Sequence, residues 1–259
     1  MRVLFFSFTF FFFLTAYSQE LESKKVTTTN FKEIFTVNKA TKLKSGNYLK
    51  QDRQNKDTLI SGTYTEGTKS GVWRYFSKEN ELWMSYNFDR KAFEKFPEER
   101  SKIDSFVVKK GNSFAYEKVD SPPVYLGSKN EIEKILVANF KVPQEIIQNK
   151  RSGISIATFL IDKNGKTKEF HGEQVLSNEV FLQMEQAFKL IDGDWCPAIA
   201  NGEPVDSQIV LVYEITPLDA KPLFQGNPKA IVVHFQYYGV TETKRSIGFE
   251  VRQVEIGRE

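Results

Sequence analysis

The sequence has 259 residues, a formal charge of +3, and 40% hydrophobic against 27% charged residues. These values exclude a wholly disordered chain, and the mild charge gives no argument for a nucleic-acid surface. The single cysteine, Cys196, excludes an internal disulfide and a thiolate zinc cluster. Two histidines, His171 and His234, leave little material for a histidine-based catalytic centre.

Residues 1–18 predict a secretory signal peptide. Arg2 precedes an apolar run over residues 3–14, and Ala16-Tyr17-Ser18 supplies a small-x-small ending. We predict cleavage after this ending and a periplasmic location for the mature protein. The alternative is an inner-membrane anchor formed by residues 3–17, although spanning the hydrocarbon core takes about 20 apolar residues.

Charge and proline positions divide the mature chain into three segments. Residues 19–120 carry a net charge of +5, residues 121–217 carry −4 and residues 218–259 carry +1. The first boundary coincides with Pro122-Pro123 and the second with Pro217. Proline favours extended backbone and ends regular structure, so these positions are predicted domain boundaries.

Residues 19–120 predict antiparallel strands. Gly46-Asn47-Tyr48 is echoed by Gly62-Thr63-Tyr64, and alternating aromatic residues continue to Phe88. Glycines at turns and aromatic residues at every second position are typical of hairpins. The stretch Gly62–Phe88 resembles the MORN-like hairpin repeats of exported bacterial proteins, which implies aromatic stacking between successive hairpins. The aromatic residues either pack a sheet or, alternatively, form a ligand platform.

Residues 121–217 predict the order α-α-β-β-α-β. A capping box, Ser128–Glu131, begins the first helix, and Pro143 can begin a second, shorter one. Two strands then meet at the turn Asp162–Gly165, and Ser177 can cap an amphipathic helix. The last strand comprises Gln208, Ile209, Val210, Leu211, Val212, Tyr213, Glu214 and Ile215.

Five motifs in this segment resemble the C-terminal domain of TonB, in the form found in exported proteins of Bacteroidetes-type bacteria. In chain order they are Pro122–Tyr125, Val142–Glu145, the strand from Gly153, Ile161–Gly165, and Trp195–Ala198 leading to Asn201–Val205. The resemblance implies a periplasmic domain in which one strand pairs with an extended peptide of an outer-membrane receptor. In that binding mode backbone hydrogen bonds supply most of the affinity. The implied peptide-pairing strand is Gln208–Ile215.

The chain departs from a TonB energy transducer in several respects. Such a transducer has an uncleaved membrane helix and a long proline-rich spacer, whereas this chain has a short leader and a β-rich segment in the spacer position. Val142 stands where the family usually has an aromatic residue. Residues 218–259 add a predicted β-hairpin, formed by Ile231–Tyr238 with Ile247–Val254.

No catalytic, cofactor or metal site is predicted. His171 lies near Glu169 and Glu173, a pattern that is more typical of a strand histidine among hairpin charges. Cys196 has no neighbouring base that would activate a thiolate. The turn Asp192-Gly193-Asp194 lacks the remaining oxygen ligands of a calcium loop.

The predicted fold class is therefore α+β: an N-terminal antiparallel β-hairpin segment, a TonB-like domain and a C-terminal β-hairpin extension. We predict an exported, non-enzymatic protein-interaction module serving TonB-linked transmembrane transport. Its expected partner is an outer-membrane receptor or another envelope protein, with no nucleic acid and no stable membrane span once the leader is cleaved. The alternative is a non-catalytic cell-envelope scaffold without an energy-transducing role. The sequence leaves the partner's identity and the oligomeric state open.

Overall fold

The fold is known from a computed structural model, which describes residues 20–77, 80–129, 131–191, 195–221, 223–224 and 229–238. Three sequence predictions lie outside the described residues: the signal peptide at residues 1–18, the turn at 192–194 and the strand at 247–254. Of the described residues, 53% lie in strands and 14% in helices.

Seven strands in simple chain order form an antiparallel sheet, here called the N-terminal sheet. Its strands are β1 Leu21–Thr27, β2 Phe31–Asn38, β3 Lys44–Asp52, β4 Thr58–Thr65, β5 Thr68–Phe76, β6 Leu82–Asn87 and β7 Ala92–Lys95. Each strand pairs with the next along the chain. This meander confirms the antiparallel strands predicted for the first segment.

The repeated Gly-x-Tyr motif sets the packing of β3 against β4. Tyr48 lies opposite Gly62, and Gly46 lies opposite Tyr64. Both glycines lie within strands rather than at turns, which corrects the sequence-based interpretation. The ring of Trp73 lies over Gly62, because a Cβ atom there would be 2.3 Å from the indole. Gly62 therefore makes room for a ring on the neighbouring strand, whereas a Cβ atom at Gly46 would lie 2.6 Å from the Thr36 hydroxyl.

Aromatic rings cover one face of the N-terminal sheet. Trp73 is 1% exposed, and its ring centroid lies 5.2 Å from that of Tyr48, 5.1 Å from Tyr64 and 5.8 Å from Phe88. Its indole N–H donates a hydrogen bond to the carbonyl of Thr63 at 3.1 Å. Aromatic pairs of this kind add about 0.5–1.5 kcal/mol each beyond the burial of area. Trp73 is thus the centre of the first hydrophobic core.

The remaining strands build a second sheet, here called the C-terminal sheet, and two small ladders. The strands are β8 Ser105–Lys110, β9 Ser113–Lys118, β10 Val124–Tyr125, β11 Gly153–Ile161, β12 Thr167–Gln174, β13 Trp195–Cys196, β14 Ala198–Ala200, β15 Glu203–Val205, β16 Ser207–Pro217 and β17 Ala230–Tyr237. The C-terminal sheet has the order β12-β11-β16-β8-β9, and β17 also pairs with β16. The ladders are β10 with β13 and β14 with β15.

Four helices are found in the described residues, and three of them contribute to the core beside the C-terminal sheet. Their bounds are α1 Glu98–Ser101, α2 Glu131–Ala138, α3 Gln144–Gln148 and α4 Asn178–Phe188. The predicted cap of α4 is confirmed, since the Ser177 hydroxyl accepts the N–H of Val180 at 3.3 Å. The Glu131 carboxylate accepts the N–H of Ser128 at 2.9 Å, the reciprocal bond of the predicted capping box.

The predicted fold class, α+β with an α-α-β-β-α-β domain at residues 121–217, is wrong. The described chain is mostly β, with large antiparallel sheets and only 14% helix. The strands of this segment also do not form a sheet of their own, because β8 and β9 precede it and β17 follows it. The first strand of the predicted C-terminal hairpin is found as β17, which pairs in parallel with β16, whereas its predicted partner Ile247–Val254 lies outside the described residues. Local patterns gave the strands but carried no information on these distant neighbours.

The turn between β11 and β12 depends on one buried carboxylate. Asp162 is 5% exposed, accepts the N–H groups of Asn164 and Lys166 at 2.9 Å each, and forms an ion pair with Lys168 at 2.5 Å. Burial opposes its ionisation, but the hydrogen bonds from Lys168 and from the backbone outweigh burial. The pKa of Asp162 is therefore held below its ordinary value.

We expect Asp162→Ala to lower the free energy of unfolding by about 1–3 kcal/mol at pH 7, because two part-buried N–H groups lose their acceptor. A depressed carboxyl pKa stabilises the fold above the unfolded value of about 3.9, and this stabilisation is lost as the pH falls through the folded value. The difference in free energy of unfolding between the variant and the natural protein, measured by urea melts, should therefore shrink as the pH falls towards about 3. Lys168→Ala removes only an exposed partner and should cost less than about 1 kcal/mol. An undiminished difference at low pH would contradict this account.

Candidate functional site

The predicted peptide-pairing strand lies inside the C-terminal sheet. Along one edge, Ser207–Ile215 of β16 pairs with β11. Along the other edge, β17 pairs with Val210–Pro217 and β8 pairs with Ser207. From Val210 to Ile215 the strand therefore has neighbours on both sides. An added strand needs an unpaired edge, so a peptide could reach these residues only by displacing β17 or β11.

β17 is held firmly by its buried side chains. Val233, Phe235 and Tyr237 are 1%, 6% and 0% exposed. The ring centroid of Phe235 lies 4.1 Å from that of Phe140, and the Tyr237 hydroxyl donates a hydrogen bond to the Arg151 carbonyl at 2.8 Å. Displacing β17 would expose all three side chains and open the core.

The face of β16 that points away from the helices is covered by the chain that follows it. Glu214 is 1% exposed and accepts the backbone N–H groups of Leu223 and Phe224, the second at 3.3 Å. Its carboxylate also lies 2.8 Å from Nδ1 of His234, its cross-strand neighbour on β17. Glu214 therefore fixes the segment that connects the two strands against the sheet, so its role is structural.

Among the described residues, three strands of the C-terminal sheet have a strand neighbour on one side only, namely β9, β12 and β17. β12 and β9 differ in how well they resist pairing. β12 pairs with β11 across two register shifts, and its Glu169 has a φ of +53°. Bulges and charged side chains protect a sheet edge. β9 pairs with β8 in an unbroken register from Ser113 to Lys118. Among the described residues β9 has no second strand neighbour, so its outer edge is open.

The open edge of β9 carries exposed aromatic side chains. Phe114 and Tyr116 are 39% and 67% exposed, and they share the face of the hairpin opposite the buried Phe106. The ammonium of Lys109 lies 5.9 Å from the Phe114 ring, and that of Lys229 lies 5.3 Å from the Tyr116 ring. A regular, exposed, aromatic edge is the kind of strand to which another chain adds.

β1, an outer strand of the N-terminal sheet, is also paired in an unbroken register with its one neighbour. However, it carries Glu22, Lys24 and Lys25, and charged side chains discourage pairing at an edge. Its exposed apolar residues, Leu21 and Val26, lie near opposite ends and on opposite faces of the strand. β9 is therefore the better candidate for a strand partner.

A second candidate site, here called the lysine cleft, lies where α2 and the β10 segment cover the N-terminal sheet. Leu126 is buried in the aromatic core of that sheet, and Ile135 of α2 contacts both hydrophobic cores. The cleft has a volume of about 280 Å³. Its lining includes the charged residues Glu33, Lys44, Lys50, Lys69 and Glu131 and the aromatic residues Tyr48, Tyr64, Trp73 and Tyr125.

Ion pairs fix α2 over the cleft. Lys50 forms an ion pair with Glu131, whose side chain is 3% exposed, and Lys134 pairs with Asp52 at 2.5 Å. In both pairs a residue of α2 meets a residue of β3. Hydrogen bonds between α2 and the sheet therefore close one wall of the cleft and neutralise two of its charges.

Lys44 forms the opposite wall of the lysine cleft. Its ammonium lies 4.5 Å from the ring centroid of Phe35, 5.3 Å from that of Tyr48 and 5.1 Å from that of Tyr64. Among the described residues it has no carboxylate within 4.0 Å. Burial of Tyr48, together with the nearby charge of Glu33, raises the pKa of that phenol.

The residues considered for catalysis lie on two strands, with His171 and Glu173 on β12 and Cys196 on β13. Burial raises the pKa of the Cys196 thiol to about 11, whereas a nucleophilic thiolate needs a lowered pKa. His171 is exposed on β12, and Glu173 accepts a hydrogen bond from Thr158 at 2.9 Å. In the described part of the chain, no group of three or more His, Cys, Asp or Glu residues could hold a metal ion. Its helices are all too short or too polar to cross a membrane.

No family model matches this sequence, and no significant match is found among curated proteins or solved structures. Both candidate sites therefore rest on the residues of this chain. The sequence analysis missed both. For β9 a signal was present, since Phe114 and Tyr116 alternate with the polar or small residues Ser113, Ala115 and Glu117. For the lysine cleft, the alternative of an aromatic ligand platform included Trp73, but nothing in the sequence joined Lys50 to Glu131, which lies 81 positions away.

Proposed function

We propose that the protein is a non-catalytic protein-interaction module of the bacterial cell envelope, and that it binds an extended segment of a partner protein along β9. The observation that carries the proposal is the open, regular edge of β9 with Phe114 and Tyr116 exposed beside it. The envelope location rests on the signal peptide predicted at residues 1–18. The resemblance of residues 121–217 to TonB supports a receptor or another envelope protein as the partner.

The surroundings of β9 favour a partner segment of particular chemistry. Backbone hydrogen bonds to the open edge would supply affinity without regard to sequence. Side chains on the outer face would meet Phe114 and Tyr116, so apolar or aromatic residues at alternate positions fit there. Lys109, Lys118 and Lys229 lie on or beside the same face, so acidic residues among the apolar ones would be favoured. The partner segment is thus extended, amphipathic and acidic.

A second candidate function is an envelope scaffold that has no receptor-binding role. One observation favours it: β17 occupies the edge of β16 that a receptor peptide would need. The two candidate functions make different predictions for β9. If the protein is such a scaffold, substitutions on the exposed face of β9 should leave the set of bound partners unchanged.

We expect Tyr116→Lys to abolish binding of the partner, because a charge replaces the most exposed aromatic side chain on this edge. The matched control is Leu182→Lys on α4, where the side chain is 54% exposed. Both sites are exposed, so each change should alter stability by no more than about 0.5 kcal/mol. The measurement is quantitative affinity capture from solubilised envelope with the natural protein and both variants as bait.

The proposal predicts that one protein is captured both by the natural protein and by Leu182→Lys. The amount of that protein captured by Tyr116→Lys should be at least about tenfold lower, equivalent to about 1.4 kcal/mol. Circular dichroism and a melt establish that each bait is folded. Identical sets of captured proteins for all three baits would contradict binding at β9 and would favour the scaffold.

A further inference from the structure

We propose that the lysine cleft binds a small acidic sugar, a ring that carries one carboxylate or phosphate group together with hydroxyl groups. This site lies on the N-terminal sheet, is separate from β9, and does not depend on the function proposed above. The inference rests on the position of Lys44, the balance of charge in the cleft, the nature of its acceptors and its size.

Lys44 supplies a positively charged group that can bind an anion. Its ammonium is half-buried and held over three aromatic rings, and it has no carboxylate within 4.0 Å in the part of the chain that the structure describes. Cation–π contacts hold the ammonium in place but leave its hydrogen-bond donors able to reach an oxygen. An ammonium held this way can form charge-assisted hydrogen bonds with an anionic oxygen, which are stronger than those between neutral groups.

The charge of the cleft favours a ligand with one negative group. Its lining carries three lysines, at 44, 50 and 69, and two glutamates, at 33 and 131. The ion pair between Lys50 and Glu131 cancels one charge of each sign. The remaining lining has a formal charge of +1, so it attracts a ligand that carries one anionic group.

The remaining acceptors favour hydroxyl groups over a plain aromatic acid. Glu33 and Glu131 both line the cleft, and an ionised carboxylate can only accept hydrogen bonds. Each carboxylate already has a partner within the protein, but its remaining lone pairs can accept hydrogen bonds from ligand hydroxyl groups, which an apolar ring cannot supply. Beside these polar groups, the partly exposed rings of Tyr64 and Tyr125 offer apolar surface to the C–H faces of a sugar ring.

The size of the cleft limits the ligand to one or two rings. Its volume of about 280 Å³ falls just below the range of about 300–1,000 Å³ that is typical of small-molecule sites. The tertiary arrangement also fixes the cleft shape, since α2 is joined to β3 by two ion pairs. The site is thus preformed and small.

The test measures binding of glucuronate and glucose 6-phosphate to the mature protein by calorimetry, with glucose and inorganic phosphate as controls. The two acidic sugars distinguish a carboxylate ligand from a phosphate ligand. We expect at least one of them to bind at least tenfold more tightly than glucose and than inorganic phosphate. Binding should also change the fluorescence of Trp73, which lines the cleft.

Lys44→Gln should weaken that binding at least tenfold, because it removes the charge with little change in length. Lys32→Gln is the matched control, since Lys32 lies on β2 with its side chain on the other face of the sheet from Phe31 and Glu33. A second measurement uses the natural protein alone. The bound sugar should protect Lys44 from acetylation, as read by mass spectrometry, and leave Lys32 unprotected.

Three results would overturn the inference. The first is no binding of either acidic sugar. The second is binding that inorganic phosphate or glucose matches, which would leave no role for an acidic sugar. The third is binding that Lys44→Gln leaves unchanged. If Lys44→Gln does not fold, the acetylation of the natural protein tests the site instead. Absence of protection at Lys44 would then contradict binding in the lysine cleft.

Discussion

The mature chain truncated after Pro217 is expected to lose its native fold, although every strand and helix before β17 is retained. The truncation removes Val233, Phe235 and Tyr237, which are 1%, 6% and 0% exposed. Burying one large apolar side chain contributes about 1.5–3 kcal/mol, so these three contribute roughly 5–9 kcal/mol. That amount is comparable with the stability of a whole domain, about 5–15 kcal/mol.

The measurement compares the truncated chain with the full mature chain by circular dichroism and urea melts. We expect the truncated chain to lack a cooperative transition, and its β16 to be unable to serve as a peptide-pairing strand. A truncated chain that melts cooperatively and within about 2 kcal/mol of the full chain would contradict this. β17 would then be peripheral, and Gln208–Ile215 would become available to a receptor peptide.

Trp73→Ala is expected to lower the free energy of unfolding by about 3–5 kcal/mol, the cost of emptying a large aromatic core site. Its ring contacts Tyr48, Tyr64 and Phe88 and covers Gly62, so the cavity would lie at the centre of the first core. The measurement is the midpoint and slope of a urea melt. A loss below about 1 kcal/mol would mean that the aromatic face does not hold the N-terminal sheet together.

Gly62→Ala gives this prediction a matched test. In the natural protein a Cβ atom at residue 62 would lie 2.3 Å from the Trp73 ring, so the substitution should destabilise. In the Trp73→Ala background the ring is absent, and Gly62→Ala should cost much less. The double-mutant cycle should therefore show a coupling energy within about 0.5–3 kcal/mol for residues in contact. Additive effects would contradict the packing of Trp73 on Gly62.

The sequence predicted local features of this fold well. The Ser177 cap, the Ser128–Glu131 capping bond and the turn at Asp162–Gly165 each depend on residues within one turn of the chain. Long-range pairing was not predictable in this way. Alternation in Ile231–Tyr238 indicated a strand and its buried face, but alternation does not say which strand lies beside it. The observed neighbour is β16, and it pairs in parallel.

The error at the predicted site has a physical explanation within the sequence itself. Residues from Gln208 to Ile215 form a nearly continuous apolar run, which is typical of a strand buried on both faces. The structure agrees, because Leu211 and Val212 point to opposite faces and both are 0% exposed. The TonB resemblance instead implies a free edge on this strand, and β17 occupies that edge. Phe114 and Tyr116 received no role, although alternating exposed aromatics are a more direct sign of an open edge.

Site-specific photo-crosslinking in cells that naturally make the protein tests binding at β9 most directly. A photoreactive phenylalanine analogue replaces Tyr116 on β9, His171 on β12 or Lys24 on β1, so that three outer strands are compared. We predict that irradiation joins a second protein to the position-116 variant, with little or no product from the other two. A product from position 171 or 24 without one from position 116, or no product from any of the three, would contradict binding at β9.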